Sequence, residues 1–286
     1  MTSEIKIAPL PDRGVVAVDG PDALSLLQGL ITNDVRRLDT APAMFAGLLS
    51  PQGKILFDFF VMRTPEGVLL DVVRDCAGDL VKRLSMYRLR AAVTIKDVSA
   101  DHEVVAIFGG SRTTSLNLVY ADPRRPELGA RAIVATTERA DSTATAADYH
   151  DFRIGIGVPE GGRDYSFGEA FPHEALFDQL HGVSFTKGCY VGQEIVSRME
   201  HRGTARRRIV PVSGTAGKLV EGQPVLGGEV EIGRIGSVAG GRALAMIRLD
   251  RAEEFAQKGV PLKAGDSTLV IDIPAWADFT TAATHS

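Results

Sequence analysis

Apolar positions follow two different rhythms along this chain, and the change falls near residue 203. Before it, short apolar runs alternate with stretches whose apolar residues recur three and four apart. Residues 14–18 read as a strand. Pro21 opens a helix that puts Ala23, Leu26, Leu27 and Leu30 on one face. The runs 55–62 and 68–73 read as strands, and Thr64-Pro65-Glu66-Gly67 between them predicts a hairpin. Asp75 is placed to cap a helix carrying Leu80, Leu84 and Tyr87 on one side. Further strands are expected at 92–95, 103–108, 116–120 and 131–135, with a helix from about 145 to 153. The polar or small stretches 123–126 and 140–147 read as loops. This order of elements predicts an α+β fold.

Beyond residue 203 the runs shorten to 209–212, 229–232, 235–238, 244–248 and 269–273, with glycines closely spaced between them. That pattern predicts a small C-terminal β-barrel. Just before the change, Val191, Ile195, Val196 and Met199 have helical spacing. A helix is expected to begin at Tyr190 or Val191 and to stop at Gly203, with Arg198 and Arg202 in its last turns. Cys189 then falls at or just before the helix N-terminus, beside Lys187. Both features lower a thiol pKa and suit a nucleophile or a soft-metal ligand. The alternative is a buried structural cysteine in a turn. Gly188 and Gly192 allow a ligand or another backbone to come close.

Composition narrows the function classes. The chain has 286 residues, 44% hydrophobic and 24% charged, with a net charge of -4. These are ordinary globular values and give no global attraction to nucleic acid, so no direct nucleic-acid partner is expected. Cys76 and Cys189 are the two cysteines, too few for a disulfide framework or a self-contained four-cysteine site. A metal cluster would need a second protomer, a partner or a non-cysteine ligand, so no stably bound metal is expected. The first residues lack an apolar leader and no run is long enough to span a membrane. The default expectation is a cytoplasmic protein without a membrane partner. Gly155 and Gly157 hint at a dinucleotide loop, but Glu160 stands where the third glycine belongs. The six histidines show no zinc-protease spacing. Arg198, Arg202, Arg206, Arg207 and Arg208 with His201 make the densest basic cluster. It reads either as a solvated strip or as an anion site.

The run Lys187-Gly188-Cys189-Tyr190-Val191-Gly192-Gln193-Glu194 resembles the signature of the YgfZ family, folate-binding proteins similar to the T-protein of the glycine cleavage system. The lead-in Phe171-Pro172-His173-Glu174, the run Thr32-Asn33-Asp34-Val35, the segment 49–54 and Tyr87-Arg88-Leu89-Arg90 extend the resemblance over about residues 10 to 250. The resemblance implies a T-protein-like, three-domain ring ending in a small β-barrel. Residues 1–45 with 148–203 would form a split folate-binding domain, 46–147 an inserted α+β domain and 204–286 the barrel.

It also implies a tetrahydrofolate or one-carbon derivative as ligand. Glu174 would read the pterin edge, or act only as a helix N-terminal acid. Asn33 and Asp34 would line the site, or cap a turn. Tyr87, Arg88 and Arg198 would make further contacts. Cys189 and Lys187 would be the working pair, with Gly188, Tyr190, Gly192, Gln193 and Glu194 supporting the motif. In the aminomethyltransferase branch the strand at 55–62 carries adjacent acids, whereas Phe57-Asp58 keeps one, and Cys189 is an addition. That departure favours an accessory role in iron–sulfur cluster assembly or repair over aminomethyl transfer, with indirect support of tRNA modification. Iron–sulfur enzymes or cluster carriers are the implied protein partners. The alternatives are a folate-dependent one-carbon transferase and a folate-binding scaffold without chemistry.

Overall fold

A computed structural model describes residues 4–110, 116–138, 141–202 and 205–278. The chain divides into two compact units, one of Met1–Tyr149 with Leu180–Ile195 and one of His150–Gln179 with Val196–Ser286.

In the first unit the order is β1 (Lys6–Pro9), β2 (Arg13–Asp19), α1 (Ala23–Gln28), β3 (Ala43–Leu49), β4 (Ile55–Arg63), β5 (Gly67–Val73), α2 (Ala77–Arg88), β6 (Thr94–Asp97), β7 (His102–Phe108), β8 (Val119–Ala121) and β9 (Ala130–Ala135). Two antiparallel sheets result. One has five strands in the order β3-β4-β5-β2-β6, the other four in the order β1-β7-β9-β8. Helices α1 and α2 bury Ala23, Leu27, Leu80 and Leu84 in the core of the five-stranded sheet. The helices α3 (Ala146–Ile156) and α4 (Gln193–Arg202) each contribute residues to both units.

Side chains from both sheets of this unit meet in a buried polar cluster. Asp71 of β5 accepts from Arg13 Nε at 2.6 Å and from Arg131 Nε at 2.9 Å. Arg131 and Arg124 both donate to the Tyr149 hydroxyl, at 3.1 and 3.0 Å. The Phe60 ring lies under the Arg131 guanidinium at 4.4 Å and the Arg124 guanidinium at 4.8 Å. Charges this deep persist only when paired and hydrogen-bonded.

The second unit carries the C-terminal barrel. It closes in the order β10 (Arg207–Gly214), β13 (Arg242–Arg248), β12 (Val230–Ala239), β11 (Pro224–Gly227), β14 (Leu262–Ala264) and β15 (Ser267–Ile271). Strand β15 pairs back to β10, so no edge is left open. Val210, Val225, Ile235, Ala245 and Ile247 fill the interior, and α5 (Leu249–Gln257) contributes Leu249 and Ala252.

The mixed α/β architecture and the barrel agree with the expectation; several elements differ in detail. Strand β3 was not expected because every position in it is buried, which erases the alternation that marks a one-sided strand. The runs 229–232 and 235–238 are one strand, β12. A register shift between Ile235 and Val238 makes Gly236 part of an irregularity within the ladder and not a break. Asp75 does not cap α2: the cap position is Cys76, and no side-chain capping bond forms there. The strand expected at 116–120 begins only at Val119. Helix α4 begins at Gln193, not at Tyr190 or Val191, and Gly203 lies outside the described residues. Strands β1, β11 and β14 and helix α5 had no expected counterpart; the three strands are three or four residues long, too short for a periodic signal.

Candidate functional site

The segment from His181 to Gly192 is irregular, and polar bonds hold it to the turn after α1. Thr32 Oγ1 donates to the Gly182 carbonyl at 2.6 Å, and Asn33 Nδ2 donates to the His181 carbonyl at 2.7 Å. The Ser184 amide donates to the Thr32 carbonyl at 3.0 Å. Lys187 completes the seam. Its Nζ donates to the carbonyls of Gln28, Ile31 and Asn33 at 2.8, 2.7 and 2.9 Å. An ammonium has three hydrogens, so all of them are spent. The side chain is buried at 4% exposure, and the Tyr190 ring covers the ammonium at 5.1 Å. Burial brings the Lys187 pKa down to about 8, against the pull of Asp34. Burial also raises the Tyr190 phenol above its ordinary range.

Past Tyr190 the chain turns through Gly192, whose φ of +83° lies in the left-handed region. A Cβ there would sit 2.6 Å from the Ser50 carbonyl and 3.1 Å from Gly53 Cα. Only glycine lets the loop pass that close. Gln193 then opens α4, and its side-chain oxygen accepts the Tyr190 amide at 3.3 Å. Glu194 lies in the first turn, where an acid complements the helix dipole. Cys189 stands exposed on this loop, and Gly188 beside it faces open space.

Several sequence-based assignments change here. Lys187 is an anchor, because its hydrogens are committed to carbonyls and none remains for the thiol. Cys189 is four residues ahead of the first residue of α4, outside the first turn in which the dipole acts. It is not a buried cysteine either. Asn33 is fully buried; it donates to Phe45 and His181 and accepts the Asp34 amide at 2.9 Å. It supports the turn and offers no free group to a ligand. Asp34 caps the 3₁₀ turn Val35–Asp39 and pairs with Arg36 at 2.6 Å; that hydrogen bond holds its carboxyl at about 2. Tyr87 packs half-buried against the core, and exposed Arg88 donates to the Val93 carbonyl at 3.4 Å.

Glu174 and Arg198 belong to the second unit. Glu174 is buried in a series of turns, not at a helix N-terminus. Its Oε1 accepts Arg207 Nε at 2.8 Å, and its Oε2 accepts Arg207 at 3.1 Å and the Phe171 amide at 2.9 Å. Both oxygens are engaged, so this carboxylate presents no free edge to a pterin. The sequence named Arg207 only as part of a basic cluster, and no periodicity marks it as this partner. Arg198 is exposed on α4. His173, Asp178 and Glu200 bring ligand-type atoms within 4.8 Å of one another. Both Asp178 oxygens bind Arg208, at 2.9 and 2.8 Å, and His173 Nε2 meets Glu200 at 2.9 Å. The group is a salt-bridge cluster. A cavity of about 360 Å³ in this unit is lined by Arg163, Tyr165, Arg207, Glu221 and Arg234, and none of the residues predicted to bind folate lines it.

Comparison with known proteins places these features in a class. Residues 11–122 match the family model described as the GCVT N-terminal domain, and residues 206–279 match that of the CAF17 C-terminal β-barrel domain. The structure is similar to the glycine cleavage system aminomethyltransferase T from Bartonella henselae, with a TM-score of 0.77, 16% identity and coverage of 97% of this chain and 87% of that one. The class is therefore a T-protein-like protein with an aminomethyltransferase fold and a CAF17-type barrel.

Among curated proteins, the chain is similar to several that are named as iron–sulfur cluster assembly factor IBA57 or its homolog. It is 38% identical over 233 residues to a protein of Mycosarcoma maydis named iron-sulfur cluster assembly factor IBA57 homolog, mitochondrial, covering 74% of this chain and 58% of that protein. It is 34% identical to the Homo sapiens protein named iron-sulfur cluster assembly factor IBA57, mitochondrial, covering 71% of this chain and 65% of that one. The Mus musculus protein of the same name is 33% identical, with coverage of 71% and 64%. The chain thus spans less than two thirds of the length of these relatives. Each of them is named as mitochondrial, which overturns the cytoplasmic expectation.

Proposed function

We propose that this protein is an accessory factor for iron–sulfur cluster assembly or repair, with Cys189 as its working thiol. The observation that carries the reading is an exposed cysteine on a loop that is tied to the turn after α1 by Lys187, Thr32, Asn33 and Ser184. A thiolate presented this way can hold an iron atom or a cluster as cargo, or shield one from oxidation. Two cysteines cannot complete a four-thiolate site, so the remaining ligands come from an iron–sulfur enzyme or cluster carrier docked against the loop. The names carried by the relatives support the same role and a mitochondrial setting. Support of iron–sulfur-dependent tRNA modification follows indirectly. The reading keeps the division into 1–45 with 148–203, 46–147 and 204–286.

Tetrahydrofolate is the small molecule that the aminomethyltransferase fold supports. Its proposed contacts fit unevenly. Glu174 and Asn33 have their polar atoms occupied by protein partners and do not fit a pterin edge. Tyr87 and Arg88 remain as a stacking surface and a cation for the glutamate end.

Calorimetric titration with tetrahydrofolate under anaerobic conditions tests both halves, run on the wild type and Cys189→Ser. Equal saturable binding by both, with only the variant failing to sustain an iron–sulfur enzyme in cells, is the expected result. Full support by Cys189→Ser would sink the thiol role. Absence of binding to either protein would remove the folate. Turnover of tetrahydrofolate to its methylene form with a small amine would move the protein to the transferase class.

A further inference from the structure

We infer that Lys187 is a positioning residue that bolts the Cys189 loop to the turn after α1, and that it acts on Cys189 through this mechanical tie and not through its charge. The inference deepens the proposed thiol role and rests on that reading only for its cellular readout.

Six hydrogen bonds form the seam between residues 28–33 and 181–187, and three of them come from the single Lys187 Nζ. The other three come from Thr32, Asn33 and Ser184, which are neutral groups. A lysine kept to stabilise a nearby thiolate would present at least one hydrogen to it. Here each hydrogen points at a main-chain carbonyl of a separate residue. The Gln28 carbonyl is that of the last residue of α1, where helix carbonyls lack intrahelical partners, and the Ile31 and Asn33 carbonyls lie in the turn that follows. The ammonium thus ties the helix end and the turn together. Tyr190, one residue past Cys189, caps the ammonium from outside. Cys189 is thereby flanked by two anchored residues, Lys187 two positions before it and Tyr190 one position after. Gly192 completes the restraint, because the backbone there runs against Ser50 and Gly53. The thiol is exposed while Lys187 before it and Tyr190 after it are buried, which is how a rigid support presents one reactive group.

The test uses full-length protein in a Cys76→Ser background with two variants. Lys187→Met keeps the stem and removes the charge with its donors. Asn33→Ser weakens the same seam without removing any charge. Amide hydrogen exchange is read over residues 184–192 and over the barrel. Cys189 alkylation by iodoacetamide is read at pH 7. The bolt predicts that exchange in 184–192 rises by about tenfold or more in both variants while the barrel is unchanged. It predicts that alkylation in both variants is as fast as in the wild type or faster. A drop in alkylation of about tenfold in Lys187→Met alone, with loop exchange unchanged, makes Lys187 an electrostatic activator and overturns the inference. Unchanged exchange in both variants also overturns it. Should Lys187→Met fail to fold, Asn33→Ser alone decides by the same two readouts. In cells, loss of iron–sulfur enzyme support by Lys187→Met is expected. If Cys189→Ser itself retains support, the functional proposal fails while the exchange result still decides the bolt.

Discussion

The Cys189 loop and the C-terminal barrel are held by different forces. The loop buries only a few apolar side chains, such as Val183 and Tyr190, and six polar bonds tie it to the turn after α1, half of them from one side chain. The barrel is held by a closed ladder and by many apolar side chains, each contributing a small share. Hydrogen bonds are directional, so the loop gains a defined position at the cost of having few substitutes for any lost bond. Hydrophobic burial is non-directional, so the barrel tolerates changes that the loop does not.

That contrast is broken hardest at Lys187. Replacing it with Met leaves three carbonyls without their donor, and the expected loss is about 3–5 kcal/mol in urea unfolding. A loss under about 1 kcal/mol would mean that water replaces the ammonium and that the seam is weak. Next is Gly192→Ala. The new Cβ meets the Ser50 carbonyl in a left-handed conformation, so destabilisation of about 2 kcal/mol is expected. A melting temperature equal to that of the wild type would show that the loop can shift aside.

In the barrel, Ile247→Val removes one methylene from a fully buried site, and about 1 kcal/mol is expected from the same unfolding measurement. Loop exchange should not respond to it. The smallest effect concerns Asp34. Its carboxyl is held at about 2 instead of its ordinary 3.8, chiefly by the Arg36 hydrogen bond. A depressed carboxylate contributes stability that is present above about pH 4 and is lost as pH falls through about 2. The melting temperature of wild type should therefore fall more steeply over that window than that of Asp34→Asn. Parallel curves would show that the pair with exposed Arg36 is solvent-screened.

Much of the fold was legible because one-sided burial leaves a periodic trace. The hairpin β4–β5, the helix face of Leu80 and Leu84 and the short glycine-punctuated strands of the barrel were all visible in the apolar pattern. Strand β3 was not, since burial on both sides removes that pattern. The buried cluster of Arg13, Arg124, Arg131 and Asp71 was equally invisible. Its members come from three distant stretches of the chain, around residues 13, 71 and 124–131, and charged residues read as surface until a partner is known.

The candidate site divides along the same line. Local chemistry marked Lys187 through Glu194 as unusual, and the resemblance attached a role to Cys189. Spacing could not tell which atoms Lys187 would meet, because Gln28, Ile31 and Asn33 lie more than 150 residues away in the chain. Nor could it show that Arg207 occupies Glu174, 33 residues on. The amino-acid sequence by itself determined the fold class and the barrel and marked one run as chemically singular, because periodicity and local composition are properties of neighbours. Only the tertiary structure decided which of those residues face solvent and which are spent on the fold, because a hydrogen bond is assigned by distance in space and not along the chain.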